Sequence, residues 1–296
     1  MGSLDTPNET FLIECLPLES SSNVNSSIII HTVDDVLRQL GTKRENFALL
    51  LTDAARYMSL AGKTLKELYP TLMHVTCIAH LLHNCAMRVR AYFKNIDDVV
   101  ATIKAATIKN KDRKNDFREA GLPSPPDPVI TRWATWLRAA LYYSENLPAV
   151  RTIVNNWTSG GLLVSRAKDA VNVDGLVPDL VRINQYRTLA TNVKLLEASD
   201  CTMTEVYELL KNMHFLDDPC SIQAYIKKRL SNSDLETIIN CSNLVIAPTT
   251  YALLQKDQPT SAAIERSFSM LSKLLRKDRN FDVKNVKKYM LLYYNK

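Results

Sequence analysis

The sequence predicts a mixed α/β protein that continues into an all-helical second part. Short runs of β-branched and apolar residues alternate with helical patterns over the first ~100 residues, which is typical of an α/β sheet. No further strand pattern follows, and the apolar periodicity is helical from Trp136 to Asn240. The 46% hydrophobic and 23% charged fractions are those of an ordinary globular chain.

The first elements are predicted as a hairpin. Phe11–Glu19 and Ser26–Val33 are rich in β-branched and apolar residues, and the turn-forming SSSNVNSS lies between them. The segment VDDVLRQLG predicts a short helix that stops at Gly41. Phe47–Leu51 is then a continuous apolar run, which indicates a buried strand.

A helix, a strand and a second helix follow. The segment 54–70 predicts a helix that ends at Pro70, and its apolar face is formed by Met58, Ala61, Leu65 and Leu68. His74–His80 is predicted as a strand, with a helix from Leu81 onwards. The prolines of 121–133 predict an extended connector, because each proline disfavours helix at the residue before it. In the helical part, Thr202 and Glu205 have the spacing of a capping box.

The net charge of +6 is concentrated at the end of the chain. Residues 266–296 contain nine Lys or Arg and two Asp, whereas the preceding residues balance to −1. A basic helix can bind phosphates by releasing their counterions. The alternative is a solvated helix face, which a charge run more often indicates in the absence of other evidence.

Three acids are candidates for a functional site, each with a structural alternative. Asp53 directly follows the predicted strand Phe47–Leu51, where a sheet would hold its carboxylate rigidly, but it can also cap the next helix. Glu265 lies in the first turn of the closing helix, where an acid also interacts favourably with the helix dipole. Asp5 follows only four residues, too few to read as a strand. A function therefore requires all three acids together.

The segment CIAHLLHNC brings four potential zinc ligands within nine residues: Cys77, His80, His83 and Cys85. Structural zinc sites take their ligands from two separated segments, whereas these four run into one helix. We therefore expect packing rather than structural zinc. The six cysteines of the chain are scattered, which favours a reducing compartment over a disulfide framework.

Arg132, Trp133 and Trp136 follow the proline-rich connector. Arginine with tryptophan can stack on bases or bind phosphate, although Trp136 can equally belong to the core. The chain has no glycine-rich phosphate loop and no Gly-x-Ser-x-Gly elbow. No apolar run approaches the ~18 residues of a membrane span, so no membrane partner is expected.

Five segments, in chain order, resemble the hAT superfamily of DNA transposases, which includes the hobo, Activator and Hermes types. They are SLDTPNET and LLLTDAARYM, each with an acid, HVTCIAHLLHNC with a Cys-x-x-His motif, ITRWATW with Arg-Trp, and PTSAAIERSFSMLSKLLRKDRNF with a Ser-Ala-x-x-Glu-Arg-x-Phe-Ser core. The last segment is the most specific of the five. Together they span nearly the whole chain.

This resemblance implies a ribonuclease H-like mixed sheet that is interrupted by a large all-helical insertion domain and followed by a C-terminal helical dimerisation segment. The first part of the core would be 1–137, the insertion domain 138–245, and the last core helix with the dimerisation segment 246–296. Asp5, Asp53 and Glu265 would bind two Mg²⁺ or Mn²⁺ ions, because hard cations prefer oxygen ligands and two metals can act on a DNA phosphate. The residues implied near this site are Cys77, His80, Arg132 and Trp133.

DNA and a second copy of the chain are the partners that the resemblance implies. The candidate DNA-binding residues are Lys273, Arg276, Lys277 and Arg279. A homodimer or higher oligomer would use apolar residues that recur at helical spacing: Phe268, Leu271, Leu275, Val286, Met290 and Tyr293.

Two features depart from the family pattern. The chain has no BED-type zinc finger, and only four residues precede Asp5, where a strand normally has about five or six. We therefore expect a truncated or domesticated derivative of a transposable element, located in the nucleus, that keeps the core and the dimerisation region but is impaired in catalysis. The alternative is an active DNA transposase that performs metal-dependent strand cleavage and transfer. A third reading, an unrelated helical scaffold, predicts no sheet between Phe11 and His80.

Overall fold

The computed structural model describes residues 12–14, 24–129, 134–197 and 202–240. Within these ranges the chain forms twelve α-helices and one parallel sheet of two strands. The predicted mixed α/β class is therefore confirmed. The presence of the sheet contradicts the reading as an unrelated helical scaffold.

The two strands are β1 (Leu49–Thr52) and β2 (Met73–Thr76). The helices, in chain order, are α1 (Ser26–Gln39), α2 (Arg56–Leu68), α3 (Ile78–Tyr92), α4 (Lys94–Thr107), α5 (Lys111–Glu119), α6 (Thr135–Asn156), α7 (Gly161–Asn172), α8 (Leu176–Ile183), α9 (Arg187–Glu197), α10 (Met203–Lys211), α11 (Ile222–Leu230) and α12 (Leu235–Asn240). Residues 122–129 of the predicted connector are in neither helix nor strand.

The predicted hairpin is wrong in its second strand, because Ser26–Val33 forms the first half of α1. Asn25 begins this helix: its side-chain oxygen accepts a hydrogen bond from the backbone N–H of Ile28 at 3.1 Å. β-Branched residues favour strands, but the cap and the burial of one helical face outweigh that preference here. The core-facing residues of α1 are Ile30, Val33 and Leu37. The predicted first strand, Phe11–Glu19, lies outside the described residues except for 12–14, which are in neither helix nor strand.

The end of α1 at Gly41 is confirmed. Gly41 has a backbone φ of +64°, a left-handed conformation that glycine adopts without steric cost. Its N–H donates to the Arg38 carbonyl at 3.0 Å, and the N–H of Thr42 donates to the Leu37 carbonyl at 2.9 Å. This pair of bonds is a Schellman motif, which satisfies carbonyls that the helix would otherwise leave unpaired.

Helix α2 crosses between the two parallel strands and covers one face of them. Thr52 lies opposite Thr76 in the register, and Leu49 lies opposite Met73. Fully buried Leu65 anchors α2 in an apolar cluster, which also contains Leu37, Tyr69 and Leu72. The predicted strand His74–His80 is wrong at its far end, because β2 stops at Thr76 and α3 begins at Ile78.

The chain divides into two compact units. Of the described residues, the first unit contains 12–14, 24–81, 196–197, 202–212 and 227–240, and the second contains 82–129, 134–195 and 213–226. Within the second unit, α4 packs against α6 and α7. Buried Arg113 donates hydrogen bonds there to the carbonyls of Ala106 at 2.9 Å and Ser159 at 2.6 Å. The predicted division at 137/138 and 245/246 stays a prediction, since its last segment lies outside the described residues.

The predicted capping box of α10 is confirmed. The backbone N–H of Glu205 donates to the Thr202 hydroxyl, and the Glu205 carboxylate accepts from the Thr202 backbone N–H. In the part of the chain that the structure covers, no helix is both long enough and apolar enough to cross a membrane.

Candidate functional site

Two of the predicted site residues lie side by side at one edge of the sheet. Asp53 directly follows β1 and Cys77 directly follows β2. Because the strands are parallel, both residues leave the sheet at its carboxyl edge, and the Cys77 N–H donates to the Thr52 carbonyl at 2.7 Å. Ligands in open α/β sheets bind at this kind of edge. The edge is therefore the candidate functional site of the first unit.

The Asp53 carboxylate is half-buried and partly engaged by the backbone. Its Oδ1 atom accepts a hydrogen bond from the N–H of Ala55 at 3.0 Å. Ala55 is the N-cap of α2 and makes no side-chain cap bond, so Asp53 closes an Asx turn before the helix rather than capping it. Among the described residues, only Oδ1 of this carboxylate has a hydrogen-bond partner.

The structure does not bring the whole predicted site into view. His80 lies in the first turn of α3 and is half-buried, while Cys77 is fully buried. The other predicted site, DNA-binding and dimerisation residues lie outside the described residues: Asp5, Arg132, Trp133, Glu265, Phe268, Leu271, Lys273, Leu275, Arg276, Lys277, Arg279, Val286, Met290 and Tyr293.

The side of β2 that faces away from β1 pairs with residues far away in the sequence. The sequence patterns did not indicate this pairing. The Asp234 N–H donates to the His74 carbonyl at 2.9 Å, and the Asp234 carboxylate accepts from the His74 N–H at 2.7 Å. Beside it, the Ser233 hydroxyl accepts from the Thr76 N–H at 3.4 Å. Residues 233–234 therefore take the place of a neighbouring strand on this side of the sheet.

The same Asp234 carboxylate holds Lys66 of α2. The Lys66 ammonium donates to both carboxylate oxygens, at 2.8 and 2.7 Å. The side chain of Asp234 is 19% exposed and that of Lys66 is 40% exposed. Asp234 therefore joins β2, α2 and the segment before α12 through one carboxylate.

His74 is a buried polar side chain in the middle of this arrangement. Its Nε2 atom lies 2.9 Å from the Thr52 hydroxyl, which itself donates to the Asp53 carbonyl at 2.8 Å. The direction of the hydrogen bond between Nε2 and this hydroxyl is set by the tautomer of the ring. The other side of the ring packs on α2 at Gly62, where an added Cβ would lie 2.3 Å from Nδ1.

The pKa of His74 lies below its ordinary value of 6.5, mainly because burial disfavours the charged ring. The Asp234 carboxylate opposes this shift, and the Lys66 ammonium adds to it. Thus the unfolded chain binds a proton at His74 more readily than the folded chain does.

We expect this difference to make the fold less stable in mild acid. The stability contribution of neutral His74 is complete above a pH of about 6.5. It is lost as the pH falls from there towards the pKa of the folded state, and the free energy of unfolding then changes by at most about 1.4 kcal/mol per pH unit. Urea unfolding followed by circular dichroism, at about pH 7.5 and about pH 5.5, measures it. His74→Gln is the matched control, because its amide offers Thr52 both a donor and an acceptor but does not titrate. Equal pH dependence in both proteins would contradict the prediction.

A charged cleft opens beside the sheet edge. It has a volume of about 710 Å³, with α2 on one side, residues 229–234 on the other, and His74 and Thr76 of β2 between them. Ala54, the residue after Asp53, also lines it. Its charged side chains are Arg56, Lys63, Lys66, Glu67, Arg229 and Asp234. We call this feature the α2 cleft.

The Cys/His segment is accounted for by packing in the part that the structure describes. Cys77 and Cys85 are fully buried, and burial raises the pKa of the Cys85 thiol to about 12. This thiol is therefore protonated at neutral pH, whereas zinc binds the thiolate. His83 Nδ1 instead lies 3.4 Å from the N–H of Ala134. Within the described ranges, no three His, Cys, Asp or Glu side chains are grouped as metal ligands; the absence of structural zinc stays a prediction.

No protein-family model matches the chain, and no curated protein matches it.

Proposed function

We propose that this chain is a nuclear DNA-binding protein derived from a hAT transposase, with a ribonuclease H-like core and a C-terminal dimerisation segment, and without efficient catalysis. The observation that carries the proposal is the position of Asp53. Its half-buried carboxylate stands at the carboxyl edge of a parallel β1–α2–β2 unit, next to a cleft lined by four cationic side chains. A carboxylate beside a basic surface suits a site for a phosphate-containing polymer.

The five motifs supply the rest of the proposal. LLLTDAARYM contains β1, Asp53 and the start of α2, and HVTCIAHLLHNC contains the last three residues of β2 and the start of α3. Two of the motifs thus form adjacent parts of one sheet edge. The long helical region after the connector agrees with an insertion before the last core helix. Self-association and the basic tail enter the proposal from the resemblance and from the apolar and charged pattern of 266–296.

An active transposase is the second candidate, and the free oxygen of Asp53 favours it. Among the described residues Oδ2 has no hydrogen-bond partner, so Asp53 retains an oxygen of the kind that Mg²⁺ prefers. A bound pair of such ions would stabilise the attacking and leaving oxygens at a DNA phosphate. One carboxylate does not hold two ions, and the candidate acids Asp5 and Glu265 would have to complete the set.

Two measurements on the full chain separate the candidates. In the first, binding to a fluorescent duplex of about 20 base pairs is measured by anisotropy at several salt concentrations, and we expect salt-dependent binding. In the second, a supercoiled plasmid is incubated with the protein and Mg²⁺ or Mn²⁺, and we expect no nicking above background. Asp53→Asn should leave duplex binding within about twofold of the original, since one uncharged substitution at the edge removes no cation.

Each outcome decides between named alternatives. Nicking that requires the metal and disappears in both Asp53→Asn and Glu265→Gln would establish the active transposase instead. Nicking that persists in both variants would indicate a contaminating nuclease. Absence of duplex binding at low salt would refute both candidates, because each needs DNA as its partner.

A further inference from the structure

The α2 cleft has an excess of positive charge, and two of its cations are not engaged by the described part of the fold. Its charged residues are the four cations Arg56, Lys63, Lys66 and Arg229 and the two acids Glu67 and Asp234. Lys66 is held by Asp234. Arg56 and Lys63 are exposed, and within the described part of the chain neither side chain forms an ion pair or a hydrogen bond. These two side chains are therefore available to an anion.

Three of the four cations follow a line along α2 rather than converging on one point. Arg56, Ser59, Lys63 and Lys66 are spaced by three, four and three residues, which places them on one face of α2. At about 1.5 Å of rise per residue, this row is roughly 15 Å long. A DNA strand advances about 3.4 Å per phosphate along the duplex axis, so the row spans roughly four nucleotides. A single inorganic phosphate would contact only a fraction of it.

The lining of the cleft suits the backbone of DNA better than its bases. Apart from buried His74, the described residues that line the cleft have no ring side chain on which a base could stack. The lining side chains are mainly charged or small and polar, as in surfaces that contact phosphate and sugar. Binding there would be largely independent of sequence and strongly dependent on salt.

The cleft also leads to the candidate site. Ala54, which follows Asp53 in the chain, and Thr76, the last residue of β2, both line the cleft. The cleft therefore borders the candidate site at both strands. We infer that the α2 cleft binds the phosphate backbone of duplex DNA through Arg56 and Lys63. Lys66 and Arg229 add to the positive electrostatic potential of the cleft. The bound strand is thereby directed towards Asp53. This inference rests on the proposed function in taking DNA as the partner.

The test removes the two available cations and measures the salt dependence of binding. Arg56→Gln with Lys63→Gln, in the full chain, should weaken binding to a duplex of about 20 base pairs at least about tenfold at ~0.1 M salt. The slope of log K against log salt should become shallower by about 1.8, because each duplex phosphate contact contributes about 0.9. Neither side chain holds the fold together, so the circular dichroism spectrum and the unfolding midpoint should not change.

The matched control is Lys43→Gln with Arg44→Gln. It removes the same two residue types from an exposed part of the first unit that does not line the cleft. This control should retain the original slope within about 0.5. Equal losses in the two double variants, or no loss in either, would overturn the inference while leaving the proposed DNA binding in place. A wild-type chain that does not bind duplex would overturn both.

A further arm distinguishes a polymer site from a small-anion site. Inorganic phosphate is added at constant ionic strength to the wild-type complex. If the cleft takes the DNA backbone, phosphate should displace no more duplex than an equal ionic strength of chloride does. Preferential displacement by phosphate that is lost in Arg56→Gln with Lys63→Gln would identify a site for a free anion and overturn the inference.

Discussion

Replacement of Asp234 by alanine is expected to loosen β2 by about 3 kcal/mol. The substitution leaves the buried N–H of His74 without its acceptor and removes the partner of Lys66. Losing a charge-assisted acceptor from a buried N–H costs about 1.5–3 kcal/mol, and the partly exposed ion pair adds up to about 1 kcal/mol. The pair contributes less than the single hydrogen bond, because the Lys66 side chain is 40% exposed to water.

Hydrogen exchange of the β2 amides measures this effect where it occurs. A loss of about 3 kcal/mol should speed exchange of the His74 amide at least about a hundredfold, provided that β2 opens together with the unit around it. Asp234→Asn separates the two contributions: the amide oxygen can still accept from His74, so only the ion pair is lost, at about 1 kcal/mol. Asp35→Ala is the control, an exposed Asp of α1 in the same unit. Exchange that is equally slow in Asp234→Ala and Asp35→Ala would contradict the role of Asp234.

The β1–α2–β2 unit was predictable from sequence because its signals are local. Phe47–Leu51 overlaps β1, and the end of the run places Asp53 directly after the strand. The helix before Pro70 follows from its apolar face, although Leu68 on that predicted face is 38% exposed. The error at Ser26–Val33 has a local cause as well. Three consecutive isoleucines favour a strand by propensity, whereas Asn25, the cap that begins α1, reads in sequence as part of a turn.

The pairing of β2 by Asp234 could not be predicted in this way. His74 and Asp234 are separated by 160 positions, and nothing in the local pattern of SNSDLE indicates a sheet edge. The same applies to the α2 cleft, whose cations come from α2 and from the end of α11. Sequence periodicity describes one element at a time. The charge of a surface built from two distant segments becomes visible only after folding.

The position of Gly62 links the interior of the first unit to the candidate site. His74 packs directly on the backbone of α2 at this residue, and His74 in turn contacts Thr52, which precedes Asp53. A methyl group on Gly62 would lie 2.3 Å from Nδ1 and 2.7 Å from Cγ of the His74 ring. These distances are far shorter than an ordinary contact between heavy atoms. The ring would have to move, and its hydrogen bond to Thr52 would be lost.

Gly62→Ala is therefore expected to destabilise the chain, although alanine is the better helix former. The gain in helix propensity is about 1 kcal/mol. Overpacking of a core costs about 1–3 kcal/mol, and the lost hydrogen bond of a buried group adds about 1–2 kcal/mol, so the net effect is a loss of about 2 kcal/mol. Urea unfolding followed by circular dichroism measures it.

A double-mutant cycle with His74→Ala tests the cause, because a contact between the two side chains must appear as coupling. Without the ring, the methyl group enters space that His74 has left, and only the propensity gain remains. Gly62→Ala should then stabilise the His74→Ala protein by about 1 kcal/mol, which gives a coupling of about 3 kcal/mol. If Gly62→Ala costs the same in both backgrounds, the clash lies elsewhere on α2. A measured coupling near 3 kcal/mol would place the His74 ring against the helix and thereby fix the geometry of the sheet edge that presents Asp53.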